Sequence, residues 1–127
     1  MTKEMDVSLW LGNTYEGWLE VYVDLEYWSQ EPHLSSEFTL DFDVDPNEYD
    51  EDFFEGICRP EESDDLEVLL KDFSYDNEVI TAFKELTGGK LAKKYNSIIM
   101  IYDYKHHGGG HSDKFDYIGS VRISCKY

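Results

Sequence analysis

The first strand of the chain is predicted by alternating apolar and polar side chains over residues 5–11. Alternation of this kind is typical of a half-buried strand. One face carries the apolar side chains of Met5, Val7, Leu9 and Leu11. Trp10 lies on the other face, and Gly12 ends the strand. We expect Trp10 to pack against a helix or a neighbouring element rather than stand free.

A second, short strand is predicted over residues 53–58 and is ended by Arg59-Pro60. Successive side chains of a strand point to opposite faces. Only one of the adjacent pair Phe53 and Phe54 is therefore expected to face the core.

Two further strands are predicted near the end of the chain. Residues 97–104 are apolar on both faces, as in a central strand, and Tyr104 is expected to share the face of Met100. Residues 117–127 alternate again, with Ser120 outward. Their inward side chains are Tyr117, Val121, Ile123 and Cys125. The polar, glycine-rich segment Lys105–Asp116 is predicted to be a long, mobile hairpin loop.

Helical spacing of apolar side chains predicts four helices. They are expected to begin at Thr14, at Ser35 or Ser36, at Ser63 or Asp64, and at Ser74 to Asp76. The first is expected to end near Trp28, and Gly88-Gly89 is expected to end the last. Side chains predicted to face inward include Trp18, Tyr22, Phe38, Phe42, Leu66, Leu69, Leu70, Val79, Ile80, Phe83 and Leu86.

The order of these elements predicts an α+β fold. A length of 127 residues fits one domain over residues 1–127. We expect an antiparallel sheet of about four strands, with helices packed on one face.

The net charge of the chain is −17, and it is unevenly distributed. Residues 41–78 carry −14, whereas residues 79–127 carry +4. Binding to phosphate backbones or anionic membranes needs clustered Lys and Arg. The charge therefore excludes nucleic acid and membrane partners and favours a basic protein partner.

The composition also indicates the compartment. The start of the chain has no apolar run behind a basic region, and no stretch has 18 consecutive apolar residues. We therefore expect a cytoplasmic protein. Cys58 and Cys125 are far apart in the sequence and are expected to be reduced thiols.

The acidic run over residues 41–52 resembles a calcium loop at its first positions only. Position 6 of such a loop needs Gly but has Pro46, and position 12 needs Glu but has Asp52. The apolar Phe42 and Val44 suit a packed segment better. Either a solvated acidic face or a partner-binding surface fits this run.

Three histidines lie close together in the predicted hairpin loop: His106, His107 and His111. Such spacing can hold a divalent metal. A polar loop with adventitious metal affinity fits the pattern better, because no preorganised ligand set is visible. We expect no metal and no other cofactor.

The sequence gives little support to an enzyme. Sequence patterns of nucleophile elbows, phosphate loops, paired-cysteine sites and zinc-protease helices are missing from it. Carboxylate pairs arise by chance among 28 acidic residues. A small hydrolase using a carboxylate pair or the histidine loop remains the enzymatic alternative.

Aromatic residues are unusually abundant, at 16% of the chain. Several of them flank polar or acidic stretches: Tyr15, Tyr27, Trp28, Tyr49 and Tyr75. Tyr and Trp beside acidic residues are typical of energetically important positions in protein–protein interfaces.

Two motifs resemble a known family when they are taken in order. Residues 7–13, Val-Ser-Leu-Trp-Leu-Gly-Asn, resemble the N-terminal strand motif of the immunity protein 22 family of bacterial polymorphic toxin systems. Residues 49–55, Tyr-Asp-Glu-Asp-Phe-Phe-Glu, resemble its central acidic-aromatic motif. Ser36-Glu37-Phe38 and the closing strand pair stand in similar order, so the resemblance covers nearly the whole chain.

The resemblance implies a cytoplasmic, non-enzymatic α+β protein that binds and neutralises a cognate toxin. Many such toxins are nucleases with basic clefts, which an acidic surface can fill. The residues predicted to contact the toxin are Asp45, Glu48, Tyr49, Asp50, Glu51, Asp52 and Glu55. The alternative binding function is a DNA-mimic inhibitor of a DNA-binding protein, which needs acidic residues spaced along an elongated surface.

Overall fold

The computed structural model of the chain describes residues 2–23, 37–44, 53–110 and 112–126. Four strands and four helices lie within these ranges. In chain order they are β1 (Thr2–Gly12), α1 (Glu16–Val23), α2 (Glu37–Asp41), β2 (Phe54–Asp65), α3 (Leu66–Leu70), α4 (Asp76–Thr87), β3 (Lys90–Tyr102) and β4 (Phe115–Lys126).

The four strands form one antiparallel sheet in the order β2-β3-β1-β4. In β1, Leu9 lies opposite Met100 of β3, and Met5 lies opposite Ile123 of β4. Because β1 is antiparallel to both neighbours, β3 and β4 run parallel to each other. The predicted hairpin between them is therefore wrong: residues 103–114 form a crossover that returns past β1 to the opposite end of the sheet.

The α+β class and the four-stranded antiparallel sheet are confirmed, and helices contribute to the core on both faces of the sheet. The first face packs against α3 and α4 and includes Val7, Leu9, Leu66, Leu69, Val79, Phe83, Ile98 and Met100. The second face packs against α1 and α2 and includes Trp10, Leu19, Tyr22, Phe38, Phe42, Ile99 and Ile101. Two-sided packing follows from the apolar runs of the central strands, because successive side chains alternate between the faces.

Trp10 is fully buried on the second face, as expected for a packed indole. Its ring lies edge-on to Phe38 and Phe42, with ring centres 5.0 and 5.9 Å away. Its indole Nε1 has no hydrogen-bond partner among the described residues.

Single residues with unusual backbone geometry reverse two of the predicted side-chain orientations. Asp103 has φ of 57°, so the next residue, Tyr104, joins the second-face cluster instead of the face of Met100. In β4 the register shifts where Gly119 lies opposite Leu9 and Tyr117 lies opposite Trp10. Tyr117 consequently packs on the second face, and the predicted outward Ser120 is half-buried there.

Several element boundaries differ from the sequence prediction. The strand β2 continues past Arg59-Pro60 to Asp65, with register shifts between Cys58 and Ser63 and again before Asp65. Asp65, not Ser63 or Asp64, caps α3 by accepting a hydrogen bond from the Glu67 backbone N–H at 3.0 Å.

Two side-chain predictions for the helices, at Leu86 and Thr14, are wrong. Leu86 was predicted to face inward but is exposed. Thr14 does not cap α1, because its hydroxyl group lies 2.6 Å from that of Ser97. Cys58 is a free thiol beside this pair, whereas the side chain of Cys125 lies outside the described residues.

Candidate partner-binding surface

Of the residues predicted to contact a toxin, the structure describes Glu55. The others lie outside the described residues: Asp45, Glu48, Tyr49, Asp50, Glu51 and Asp52. Their contact with a toxin therefore stays a prediction. The end of the sheet at which β2 begins is described, and its Phe53 follows this acidic segment in the sequence.

Glu55 is fixed on the first face of the sheet by the loop that follows α3. It lies opposite Met100, and its Oε1 accepts a hydrogen bond from the Ser74 backbone N–H at 3.3 Å. The Ser74 carbonyl group accepts a hydrogen bond from the Tyr102 hydroxyl group at 2.8 Å. Both polar backbone groups of Ser74 are thus used to hold the loop against the sheet.

Two exposed aromatic side chains flank Glu55. Phe54 is buried in the core, whereas Phe53 is 40% exposed, which confirms that only one of the pair faces inward. Tyr75 is 43% exposed, and its ring lies edge-on to Tyr102 with ring centres 6.3 Å apart. Aromatic side chains held in this way lose little conformational entropy when a partner covers them.

Acidic residues with left-handed backbone conformations lie beside these aromatic rings. Asp72 and Asp103 are exposed and have φ of 71° and 57°, and Tyr75 itself has φ of 56°. The Asp72 backbone N–H donates to Asp76 Oδ2 at 3.0 Å, which steadies the turn. Non-glycine residues in this region cost roughly 1–3 kcal/mol each and are often found at binding sites.

We call the group formed by Phe53, Glu55, Asp72, Tyr75 and Asp103 the Tyr75 surface. Its residues come from three chain segments that meet where β2 begins and β3 ends. The sequence pointed to Tyr75, Phe53 and Glu55. It did not reveal the positioning contact of Ser74 with Tyr102, because these residues are 28 positions apart and no local pattern links them.

The acidic run before this surface begins as a packed segment. Phe42 and Val44 are buried, as predicted, and Asp41 accepts a hydrogen bond from the Tyr22 hydroxyl group at 2.8 Å. The Tyr22 hydroxyl group is protonated at neutral pH and can donate, and burial raises its pKa further. Asp41 is therefore engaged in packing α2 against α1.

The crossover after β3 is anchored, in contrast to the predicted mobile loop. His106 is buried, and its Nε2 lies 2.8 Å from the Gly109 carbonyl oxygen. His107 Nε2 lies 2.9 Å from the Asp43 carbonyl oxygen. His111 lies outside the described residues. These contacts assign His106 and His107 to holding the loop.

Burial lowers the pKa of His106, and the nearby His107 lowers it further. A neutral imidazole suits this position, where Nδ1 lies 3.2 Å from the Tyr104 hydroxyl group. Within residues 2–23, 37–44, 53–110 and 112–126, no three His, Cys, Asp or Glu side chains gather as metal ligands would. Nor does any helix in these ranges have the length and apolar character needed to cross a membrane.

The architecture, a four-stranded antiparallel sheet with helices, defines the chain as an α+β protein, and the Tyr75 surface lies at one end of the sheet. A sequence model of the family described as Immunity protein 22 matches residues 7–122. The chain therefore belongs to the immunity protein 22 family, and this membership supports a toxin-neutralising role. Comparisons with curated proteins and with solved structures gave no significant match.

Proposed function

We propose that the chain is a non-enzymatic, cytoplasmic immunity protein that binds its cognate bacterial toxin through an acidic and aromatic surface. The family membership supports the neutralising role. The observation that carries the choice of surface is the Tyr75 surface, where Phe53 and Tyr75 are exposed among carboxylates. Its first residue, Phe53, follows directly on the acidic residues 45–52 in the sequence.

The toxin partner is proposed to be a basic, nuclease-type domain. Residues 41–78 carry −14, and a cleft that grips phosphate presents the opposite charge. Carboxylates arranged in such a cleft take the place of phosphates and exclude the substrate. The chain would act by occupation of the cleft, which requires no catalytic group and no cofactor.

The acidic residues and the aromatic residues have different roles in this proposal. Those proposed to attract and orient the basic cleft are Asp45, Glu48, Asp50, Glu51, Asp52 and Glu55. Tyr49, Phe53 and Tyr75 are proposed to be anchors that become buried when the toxin binds. Charges at the rim of an interface mainly raise the association rate, whereas desolvated aromatic anchors mainly slow dissociation.

The neutralising role is tested by expressing the toxin domain encoded beside this chain in bacteria, with and without the chain. We expect growth to stop with the toxin alone and to be restored by co-expression. The purified proteins are expected to form a stable complex by calorimetry. Growth arrest that co-expression does not relieve, with no complex formed, would contradict the proposal.

The choice of surface is tested with two exposed tyrosines. Tyr75→Asn removes the ring from the Tyr75 surface and keeps a residue that tolerates a positive φ. Tyr15→Asn removes a tyrosine that is 70% exposed at the other end of the sheet. We expect Tyr75→Asn to accelerate toxin dissociation about tenfold or more, the range of interface anchors, and Tyr15→Asn to leave it unchanged. Equal rates for both variants would place the interface elsewhere.

A further inference from the structure

A groove of about 430 Å³ lies between α4 and β4, next to the Tyr75 surface. Its helical wall includes Glu78, Ala82 and Glu85, and its strand wall is formed by Arg122, Ile123 and Ser124. Successive side chains of a strand point to opposite faces of the sheet. Lining by three consecutive residues therefore favours a groove that extends along the backbone of β4 towards the outer edge of that strand.

A further strand can pair with the outer edge of β4. In the described parts of the chain, β4 pairs with β1 alone and stands last in the sheet. In an antiparallel pair, alternate residues direct their backbone N–H and C=O groups away from the partner strand. The outer edge of β4 consequently presents hydrogen-bonding groups along the groove, as in proteins that bind an extended segment as an added strand.

The negative charge of the α4 wall favours a basic segment as the occupant of the groove. Glu78 and Glu85 are exposed and form no ion pair with the described basic residues. Arg122, the basic residue of the groove, lies 3.7 Å from a Glu4 oxygen and 3.6 Å from an Asp6 oxygen across the sheet. The carboxylates of Glu78 and Glu85 are thus available to pair with lysine or arginine side chains of a partner.

We propose that this α4–β4 groove binds an extended, basic segment of a partner protein, which adds as a strand to β4. A second copy of the chain is a poor occupant, because it would bring the acidic α4 helices and net charges of −17 together. The toxin is the partner expected to supply the segment, so this part rests on the proposed function. The helix α4 begins at Asp76, directly after Tyr75, so one partner can cover both surfaces.

The groove is tested by nuclear magnetic resonance with a defined probe, a short capped peptide of alternating lysine and valine. The control peptide has glutamate in place of lysine. We expect the basic peptide to shift the amide signals of residues 120–124 and to slow their hydrogen exchange, and the acidic peptide to do neither. No binding at millimolar peptide, or shifts spread over the acidic surface without protection of β4, would overturn the proposal.

Two double variants with equal charge change separate the groove from general attraction. Glu78→Gln with Glu85→Gln is expected to weaken peptide binding about threefold to tenfold. Glu61→Gln with Glu62→Gln removes exposed acidic residues of β2, at the opposite edge of the sheet, and is expected to leave binding unchanged. Equal weakening by both pairs would overturn the proposal, as would a dimer formed through β4 in sedimentation.

The two proposals fail separately. A chain that protects against the toxin but shows no peptide binding at β4 keeps the immunity role and loses the groove. A chain that binds the basic peptide at β4 but neither binds nor neutralises the toxin keeps the groove and loses the immunity role.

Discussion

The hydroxyl group of Ser8 lies 2.6 Å from that of Ser120 across the β1–β4 pair. Ser8 also donates a hydrogen bond to the Tyr104 carbonyl group at 2.8 Å and accepts one from the His106 backbone N–H at 2.9 Å. One buried hydroxyl group thus joins the central strand β1 and the edge strand β4 to the start of the crossover loop. The small polar side chain in the middle of β1 is explained by this connection.

Ser8→Ala is expected to destabilise the protein by about 1–3 kcal/mol. The substitution removes the hydrogen bonds of this hydroxyl group to the His106 N–H and to the Tyr104 carbonyl group, and the His106 N–H keeps only the longer one to Ser120 at 3.3 Å. The loss of two or more buried hydrogen bonds costs about that much. Ser124→Ala, on an exposed position of β4, is the control and is expected to change stability by less than about 0.5 kcal/mol. Chemical denaturation measures both, and equal midpoints would refute the structural role of Ser8.

Trp10→Ala is expected to lower the free energy of unfolding by roughly 3–5 kcal/mol, the usual cost of truncating a buried aromatic residue. The ring contacts side chains of α2 and of the crossover loop, so the cavity would lie where three segments meet. Trp10→Phe is the informative comparison, since it keeps an aromatic ring and removes an N–H without a partner among the described residues. An alanine variant that melts within a degree or two of the parent would show that Trp10 is not part of the core.

Gly110→Ala is expected to destabilise the protein more than Gly108→Ala. Both glycines have positive φ, of 92° and 90°, so each substitution costs roughly 1–2 kcal/mol in backbone strain. A methyl group at Gly110 would also collide with the backbone of Asp41 and Phe42, whereas one at Gly108 meets nothing within 4 Å. The additional cost is about 1–3 kcal/mol. Equal melting temperatures would show that the loop is not packed on α2.

Stability is expected to fall as the pH is lowered from about 6.5. Burial lowers the pKa of His106 from its ordinary value of 6.5. Between the two pKa values the unfolded chain binds the proton and the folded chain does not, so acidification favours unfolding. The stabilising contribution is complete above pH 6.5 and is lost as the pH falls through the folded-state pKa.

Two variants test whether His106 is the residue responsible for this pH dependence of stability. His106→Gln is expected to reduce the slope of unfolding free energy against pH below 6.5, whatever it does to stability itself. His107→Gln removes the neighbouring exposed imidazole, which lies 3.7 Å from an Asp43 carboxylate oxygen. This variant is expected to retain most of the contribution of His106, because burial is the largest cause of its lowered pKa. An unchanged slope in the His106 variant would show that another group is responsible.

Much of the fold followed from periodicity, because burial of alternate side chains leaves a direct signal in the sequence. The strands around Leu9 and Met100 are examples, since nearly all of their buried side chains are apolar, with Ser8 and Ser97 as the polar exceptions. Side-chain orientation was mispredicted where a single backbone angle decides it, as at Asp103 and Gly119. The crossover was missed because strand order depends on contacts between distant segments, which the local pattern does not contain.

The candidate site was predictable only in part for the same reason. Acidic and aromatic residues adjacent in sequence, such as Phe53 and Glu55, were found from composition. The position of Tyr75 beside Glu55 could not be predicted, because it depends on the hydrogen bonds by which Glu55 and Tyr102 hold Ser74. Such long-range hydrogen bonds follow from the packing of α3 on the sheet, which no short motif encodes.

The central claim is that acidic residues draw the toxin onto this surface, and association kinetics test it most directly. The variant combines Glu48→Gln, Asp50→Asn and Glu51→Gln, and the charge-matched control on β2 combines Glu61→Gln, Glu62→Gln and Asp64→Asn. Salt screens such attraction over about 8–10 Å, so rates are measured at several salt concentrations. We predict that the first variant associates about tenfold more slowly at low salt and with a flatter salt dependence, while the control changes little. An unchanged association rate and salt slope in the first variant would contradict the account.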